Sequence, residues 1–315
     1  MPPNKRPRAA RITPGTFAHV IREFQKSPHY LQSITASTRA QYARVLRIAE
    51  AHEGLGGLTV DIIRPSLVQI FLDALADKPG QQRNARTALK SLEKWALVRD
   101  KLPFPIMTGT YCVSSDGGHE PWTFPQVELA EKHAREDLAR TVTLMVHTGQ
   151  RGSDVVRMNP TDLETKSGRL GIHVRQQKTG KRLWVPFTAE LVAVMQKWPR
   201  RPGPFVLRPS GEPYTRPLLS WHWNTERDTN EALKPLKDAG LVLHGLRATA
   251  VVRARKAGAT DLQIANMFGM SEPMVARYSR LEDQTEMALA AVHFLDRTAQ
   301  ERHAANELKK QVLSN

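Results

Sequence analysis

Apolar positions recur at helical spacing through most of the first hundred residues, and their spacing predicts helix from Pro14 to about Asp100. Tyr42, Val45, Leu46, Ile48 and Ala49 share one face of a segment that Ser37-Thr38 is placed to cap. Gly54, Gly56 and Gly57 interrupt it. Val68, Ile70, Phe71, Leu72 and Leu75 mark a second helix, expected to end near Pro79-Gly80. Ala85, Ala88, Leu89, Leu92 and Trp95 mark a third, with Arg83, Arg86, Lys90 and Lys94 on its other faces. The pattern describes a small all-helical domain with a basic surface.

Between Lys101 and Trp122 the periodicity fades into prolines, glycines and serines, as in a linker. Thr123-Phe124-Pro125-Gln126 then reads as a helix start, a hydroxyl cap with proline in the first turn. Leu138 to Met158 reads as two helices split at Thr148-Gly149-Gln150. Residues 169–175 and 182–187 are β-rich runs on either side of Gln177-Lys178-Thr179-Gly180-Lys181, which predicts a hairpin with Gly180 in its turn. From Thr188 onward helix resumes, broken by a Pro/Gly-rich stretch that ends at Pro217. The expected fold is mainly α with a small β-sheet or hairpin. Its expected organisation is a basic arm (1–13), a helical first domain (14–105), a linker (106–122), an α+β second domain (123–295) and a C-terminal tail (296–315).

Composition narrows the class. A chain of 315 residues has room for two domains, and 40% hydrophobic residues is ordinary globular content. No run of roughly 18 uncharged apolar residues exists to span a membrane, and the basic start MPPNKRPRAARIT has no apolar stretch behind it of the kind a secretory signal needs. The single cysteine, Cys112, excludes a disulfide framework and a Cys-rich zinc site and fits a reducing cytoplasm. The 46 Lys and Arg against 31 Asp and Glu leave a net charge of +15, which points to a polyanionic partner bound through phosphate neutralisation.

Within the second half, six polar side chains fall in a telling order. Arg151 opens a helix, with Asp154 three residues on, where its carboxylate can reach the guanidinium on the same face. Lys178 stands at the hairpin tip. His244 and Arg247 lie one turn apart at a helix start, and Tyr278 sits near the end of a helical stretch. Each has an ordinary reading taken alone: a helix-terminal ion pair, an exposed turn lysine, a satisfied core histidine, a partly buried tyrosine. The set suits one chemistry. Cutting a phosphodiester without a metal needs planar cations on the non-bridging oxygens, where charge accumulates. It needs a nucleophile able to form a phosphate ester, and an acid for the departing 5′-oxygen. A free tyrosine titrates near 10, so neighbouring cations and an imidazole would have to help it ionise.

In order, spacing and local structure, Arg151, Lys178, His244-x-x-Arg247 and Tyr278, with HTGQR and LHGLRATA around them, resemble the signature of the tyrosine recombinases of the phage integrase family. The resemblance covers about residues 30 to 285. It implies a core-binding and a catalytic domain forming a C-shaped clamp on duplex DNA. It further implies a tetramer that exchanges strands through 3′-phosphotyrosine intermediates and a Holliday junction, with neither ATP nor metal as cofactor. It assigns Arg151 and Arg247 to the scissile phosphate, Tyr278 to attack, His244 to proton transfer and Lys178 to the leaving oxygen. Asp154 would support Arg151.

One departure stands out. The family places a further His or Trp donor about nine residues before the tyrosine, where this chain has Gly269 or Met270, with Ser271 the nearest hydroxyl. The implied partners are double-stranded recombination sites, further copies of the chain docked through the amphipathic C-terminal segment carrying Met287, Leu289, Val292, Phe294 and Leu295, and DNA-bending or directionality factors. The expected setting is the bacterial cytoplasm and nucleoid, in the service of a mobile element. Two other readings share the residues: a type IB topoisomerase, or a catalytically weak architectural DNA-binding protein.

Overall fold

The apolar stripes along residues 14–100 fold as helices. The computed structural model describes residues 13–114 and 119–279, with 291, 292, 295, 297 and 298 besides. The chain divides into two units, Met1–Asp116 and Gly117–Asn315. The basic arm up to residue 12 lies outside the described residues, as do Met287, Leu289 and Phe294 of the C-terminal segment. Val292 and Leu295 are exposed.

In the first unit, α1 (Phe17–Lys26), α2 (Ala36–Ala51), α3 (Pro65–Asp73) and α4 (Pro79–Leu97) pack around Phe17, Ile21, Phe24, Leu46, Leu72 and Leu89. The Phe24 ring meets Tyr30 edge-on at 5.1 Å and Trp95 at 5.5 Å. Two expected boundaries move. The cap of α2 is Thr35, whose hydroxyl accepts the Thr38 N–H, so the helix begins before Ser37-Thr38. Pro79-Gly80 does not end a helix but opens α4, because a proline has no N–H to lose in a first turn. Leu102, Ile106 and Met107, from the Pro/Gly-rich stretch, are buried in this core.

The second unit is built on α6 (Glu136–Thr148), which is buried along nearly its whole length. The capping box of Thr123 and Gln126 starts α5 (Phe124–His133) beside it. After α7 (Gly152–Val155) comes a three-stranded antiparallel sheet, β1 (Leu163–Lys166), β2 (Arg169–Arg175) and β3 (Arg182–Pro186), in that order. The β2–β3 hairpin was legible, with Ile172 opposite Val185 and His173 opposite Trp184. Strand β1 was not: four half-polar residues carry no alternation, and the strand exists through its pairing to β2 across the tight Ser167-Gly168 turn. Then follow α8 (Ala189–Met195), α9 (Arg216–Thr229), α10 (Lys234–Asp238), α11 (Gly245–Lys256), α12 (Asp261–Phe268) and α13 (Glu272–Ser279). Leu138, Leu144 and Met145 of α6 share a core with Ile172, Val185, Leu219, Trp223 and Leu246. A smaller cluster joins α11, α12 and α13 through Ala248, Val251, Ile264, Phe268, Val275 and Tyr278. Among the described residues no helix is long and apolar enough to cross a membrane.

Candidate active site

Four chain segments supply the site, and each is shaped by a local rule. Helix α6 ends at Gly149 in the left-handed region (φ +61), a backbone state that costs a side-chain-bearing residue of order 1 kcal/mol. Space also forbids a larger residue, since an added Cβ would come 2.6 Å from the Phe268 ring. The freed Gly149 carbonyl accepts a hydrogen bond from Nη1 of Arg247. Two residues on, Arg151 is the N-cap of α7 in extended conformation, half-buried.

Arg247 is on the first turn of α11 and only 1% exposed. Its other terminal nitrogen, Nη2, is buried without a hydrogen-bond partner, and so is Nη1 of Arg151. Burial lowers the Arg247 pKa to about 10, with the Arg151 charge adding to it, while Tyr278 and Asp154 pull the other way. Tyr278 is buried on α13, within electrostatic reach of Arg247 and packed in the α11–α13 cluster. The structure thus brings Arg151, Arg247 and Tyr278 together from three separate segments.

His244 joins them as the N-cap of α11. Burial, then the charges of His119, Arg247, Arg151 and Arg216, push its pKa down to about 4. The imidazole is therefore neutral at pH 7 and keeps a lone pair. Its ring meets that of His119 edge-on at 5.1 Å. His119 is held there because the adjoining chain is pinned to α11: the Trp122 N–H donates to Thr249 Oγ1 at 2.7 Å.

Lys178 lies exposed in the β2–β3 turn. The base of that turn is anchored by buried amides. Gln176 Nε2 donates to Gln150 Oε1 at 2.9 Å and to the Phe268 carbonyl at 3.0 Å, and Gln150 Nε2 donates to the same carbonyl at 3.2 Å. Thr179 Oγ1 donates to Gln176 Oε1 at 2.9 Å. Asp154 belongs to this bracing. Its Oδ1 accepts the Gln177 N–H at 2.8 Å, and its Oδ2 is buried without a partner. The expected carboxylate–guanidinium contact with Arg151 is replaced by one to the hairpin backbone, because Arg151 is the extended N-cap of α7 and does not share a helical face with Asp154.

Gly269 closes α12 at φ +62, and a Cβ there would come 2.9 Å from Gln176 Nε2. Met270 is 9% exposed and packs into the α11–α13 cluster with Tyr278, while Ser271 is exposed ahead of α13. Neither Gly269 nor Met270 offers a side-chain hydrogen-bond donor. Four polar residues of the site escaped the sequence reading: Gln150, Gln176, His119 and Arg216. Gln150 adjoins Arg151 in sequence and Gln176 lies two residues before Lys178, which is a usable signal. His119 and Arg216 carry none.

The phage integrase family model matches residues 126–285. No curated protein matches the chain. Among solved structures, a lambda integrase fragment dimer bound to a COC′ core site superposes with a TM-score of 0.70 at 18% identity, covering 85% of this chain and 96% of that one. A lambda integrase tetramer bound to a Holliday junction gives 0.68 at 18% identity, covering 84% and 77%. The Tn1549 transposon integrase in complex with transposon right-end DNA gives 0.65 at 15% identity, covering 89% and 99%. At such identities the likeness is one of fold.

Proposed function

This chain belongs to the phage integrase family, and from that premise we propose that it is a site-specific DNA recombinase using Tyr278 as nucleophile. One observation carries the assignment of the site. Arg151 and Arg247 each bury a guanidinium nitrogen with no protein partner, beside a tyrosine and a neutral histidine. Buried donors without partners cost free energy, and a phosphate with two non-bridging oxygens supplies the acceptors they lack.

The chemistry follows from those roles. The Tyr278 oxygen attacks phosphorus, forming the tyrosine–phosphate ester as the bond to the 5′-oxygen breaks. The phenolic proton passes toward His244, whose lone pair is free at neutral pH. Lys178 gives a proton to the departing 5′-oxygen, leaving a hydroxyl, and ligation runs the same steps in reverse. Arg151 and Arg247 neutralise the charge that grows on the non-bridging oxygens. Gln150, Gln176 and Asp154 act through others, holding the hairpin of Lys178 to the segment that carries Arg151.

The first unit is the DNA-binding core domain in this reading, with the basic side chains of α4 tracking phosphates. Solved relatives on core-site, transposon-end and Holliday-junction DNA support a duplex partner and a tetramer on it. They equally support service to a mobile element. Docking of protomers through the segment beyond Tyr278, accessory bending or directionality factors, and a cytoplasmic, nucleoid setting complete the proposal.

The test uses a duplex that the protein itself selects from a random-sequence pool, with the cleaved bond mapped and a nick placed so that cleavage is trapped. Wild type is expected to form a covalent protein–DNA adduct and Tyr278→Phe none. An adduct of undiminished yield with Tyr278→Phe would show another nucleophile. Relaxation of any supercoiled plasmid, without regard to site, would favour the topoisomerase reading.

A further inference from the structure

A third guanidinium belongs to this pocket. Arg216 is the first residue of α9, capped by Thr215, and its side chain extends across α7. It lies over Gly152, where an added Cβ would stand 3.6 Å from Arg216 Nε and 3.7 Å from its Cδ. Gly152 directly follows Arg151, so the two arginines flank one backbone turn. The charge of Arg216 reaches His244 together with those of Arg151 and Arg247.

Its surroundings are those of a ligand-facing group. The residue is exposed to solvent, so a ligand can reach it, yet neighbouring protein desolvates it enough to lower its pKa. Burial is the sole influence on that shift, with no carboxylate among the described residues offsetting it. Three arginines thus converge with one carboxylate, Asp154, whose charge acts on Arg247. Three cations against one acid leave an excess of like charge that repels, and an anion between them relieves the repulsion.

We propose that Arg216 is a catalytic residue, a third guanidinium that donates to a non-bridging oxygen of the scissile phosphate. The inference rests on the phosphoryl-transfer reading above and adds a residue to it. A pentacovalent transition state carries more charge on its non-bridging oxygens than the diester does, so each preorganised donor counts more there than in the ground state. Met270 packs as an apolar side chain on the α13 side of the pocket. Arg216 supplies its donor from α9 instead.

Charge removal from the substrate tests this. The selected duplex is prepared with an ordinary phosphodiester at the mapped bond and, separately, with a methylphosphonate there, whose neutral phosphorus centre needs one cation fewer. Arg216→Ala is expected to slow single-turnover adduct formation on the phosphodiester by about 10²-fold, the usual cost of one preorganised donor. On the methylphosphonate the loss shrinks to within about threefold, because less charge develops to be neutralised. Affinity for an uncleavable duplex stays within about threefold of wild type, since the interaction strengthens in the transition state. Equal slowing on both substrates, in Arg216→Ala and in Arg216→Gln alike, would overturn the role. So would weakened binding with an unchanged rate at saturation, which would make Arg216 a contact to a neighbouring phosphate or base. If the wild type itself forms no adduct, the phosphoryl-transfer reading fails, and Arg216 with it. Failure confined to the Arg216 variants leaves that reading standing.

Discussion

At the scale of single residues, the site is a problem of keeping one base neutral among cations. His244 stands among Arg151, Arg216 and Arg247, and its pKa is held to about 4, first by burial and then by neighbouring charge. His147, buried on α6 beside Arg253, is likewise shifted down by burial and then by the Arg253 charge. The sign of the consequence is fixed by linkage. An unfolded histidine titrates near 6.5, so between about 6.5 and 4 the unfolded chain binds protons that the folded chain refuses. Stability is full above that window and falls as the pH drops through it. Urea midpoints at pH 7.5, 6 and 5 should therefore decline in order, and His244→Asn should flatten part of the decline. A midpoint that rises on acidification would mean the imidazoles are not held neutral. Residues such as Arg151, His244, Arg247 and Tyr278 were legible because each lies by a helix boundary that the sequence announces. Arg216 and His119 were not, since they reach the pocket through folding of the 199–215 loop and through the Trp122–Thr249 hydrogen bond, neither of which has a local pattern.

At the scale of elements, a few buried amides set the register between parts that carry the chemistry. Gln150 lies in the α6–α7 connection, Gln176 directly follows β2, and both donate to the Phe268 carbonyl at the close of α12. One three-way junction therefore links the segment of Arg151, the turn of Lys178 and the approach to Tyr278. Gln176→Leu would fill the space while stranding the buried Gln150 Oε1. The expected cost is about 1–3 kcal/mol of stability for a buried polar group left unsatisfied. Cleavage should slow while the affinity for an uncleavable duplex holds, because the displaced group is Lys178 and not a binding contact. Thermal or urea unfolding compared with single-turnover rates checks both halves, and an unchanged midpoint would remove the junction from the account. Element existence followed from periodicity in α2, α4 and α6. What periodicity could not supply was choice among equivalent signals: Thr35 against Ser37-Thr38 as a cap, Pro79 as a start against a stop, and β1, which depends on its partner strand.

At the scale of the whole molecule, the proposed function divides the net charge of +15 into cations that work on one phosphate and cations that meet many. It assigns the α4 helix to the second kind. Its buried side is Ala85, Ala88, Leu89, Leu92 and Trp95, and Arg83, Arg86, Lys90 and Lys94 recur at three- and four-residue spacing along another face. The tally is not uniform, because Arg86 spends its guanidinium on the Thr110 carbonyl, so it braces the unit's own chain. Lys90 and Lys94 are exposed and carry the prediction. Each phosphate neutralised contributes about 0.9 to the slope of log affinity against log salt. The double variant Lys90→Ala/Lys94→Ala should therefore reduce that slope by about 1.8. At saturating DNA its rate of adduct formation should equal that of the wild type, since phosphate tracking sets affinity and not the chemical step. Arg247→Ala should behave in the opposite way, losing rate by orders of magnitude while the slope changes by no more than about one phosphate's worth. A salt titration of affinity alongside single-turnover cleavage separates the two classes. If the slope is untouched in the double variant, α4 does not face the DNA backbone, and the excess charge that marks this chain must be sought on another face of the first unit.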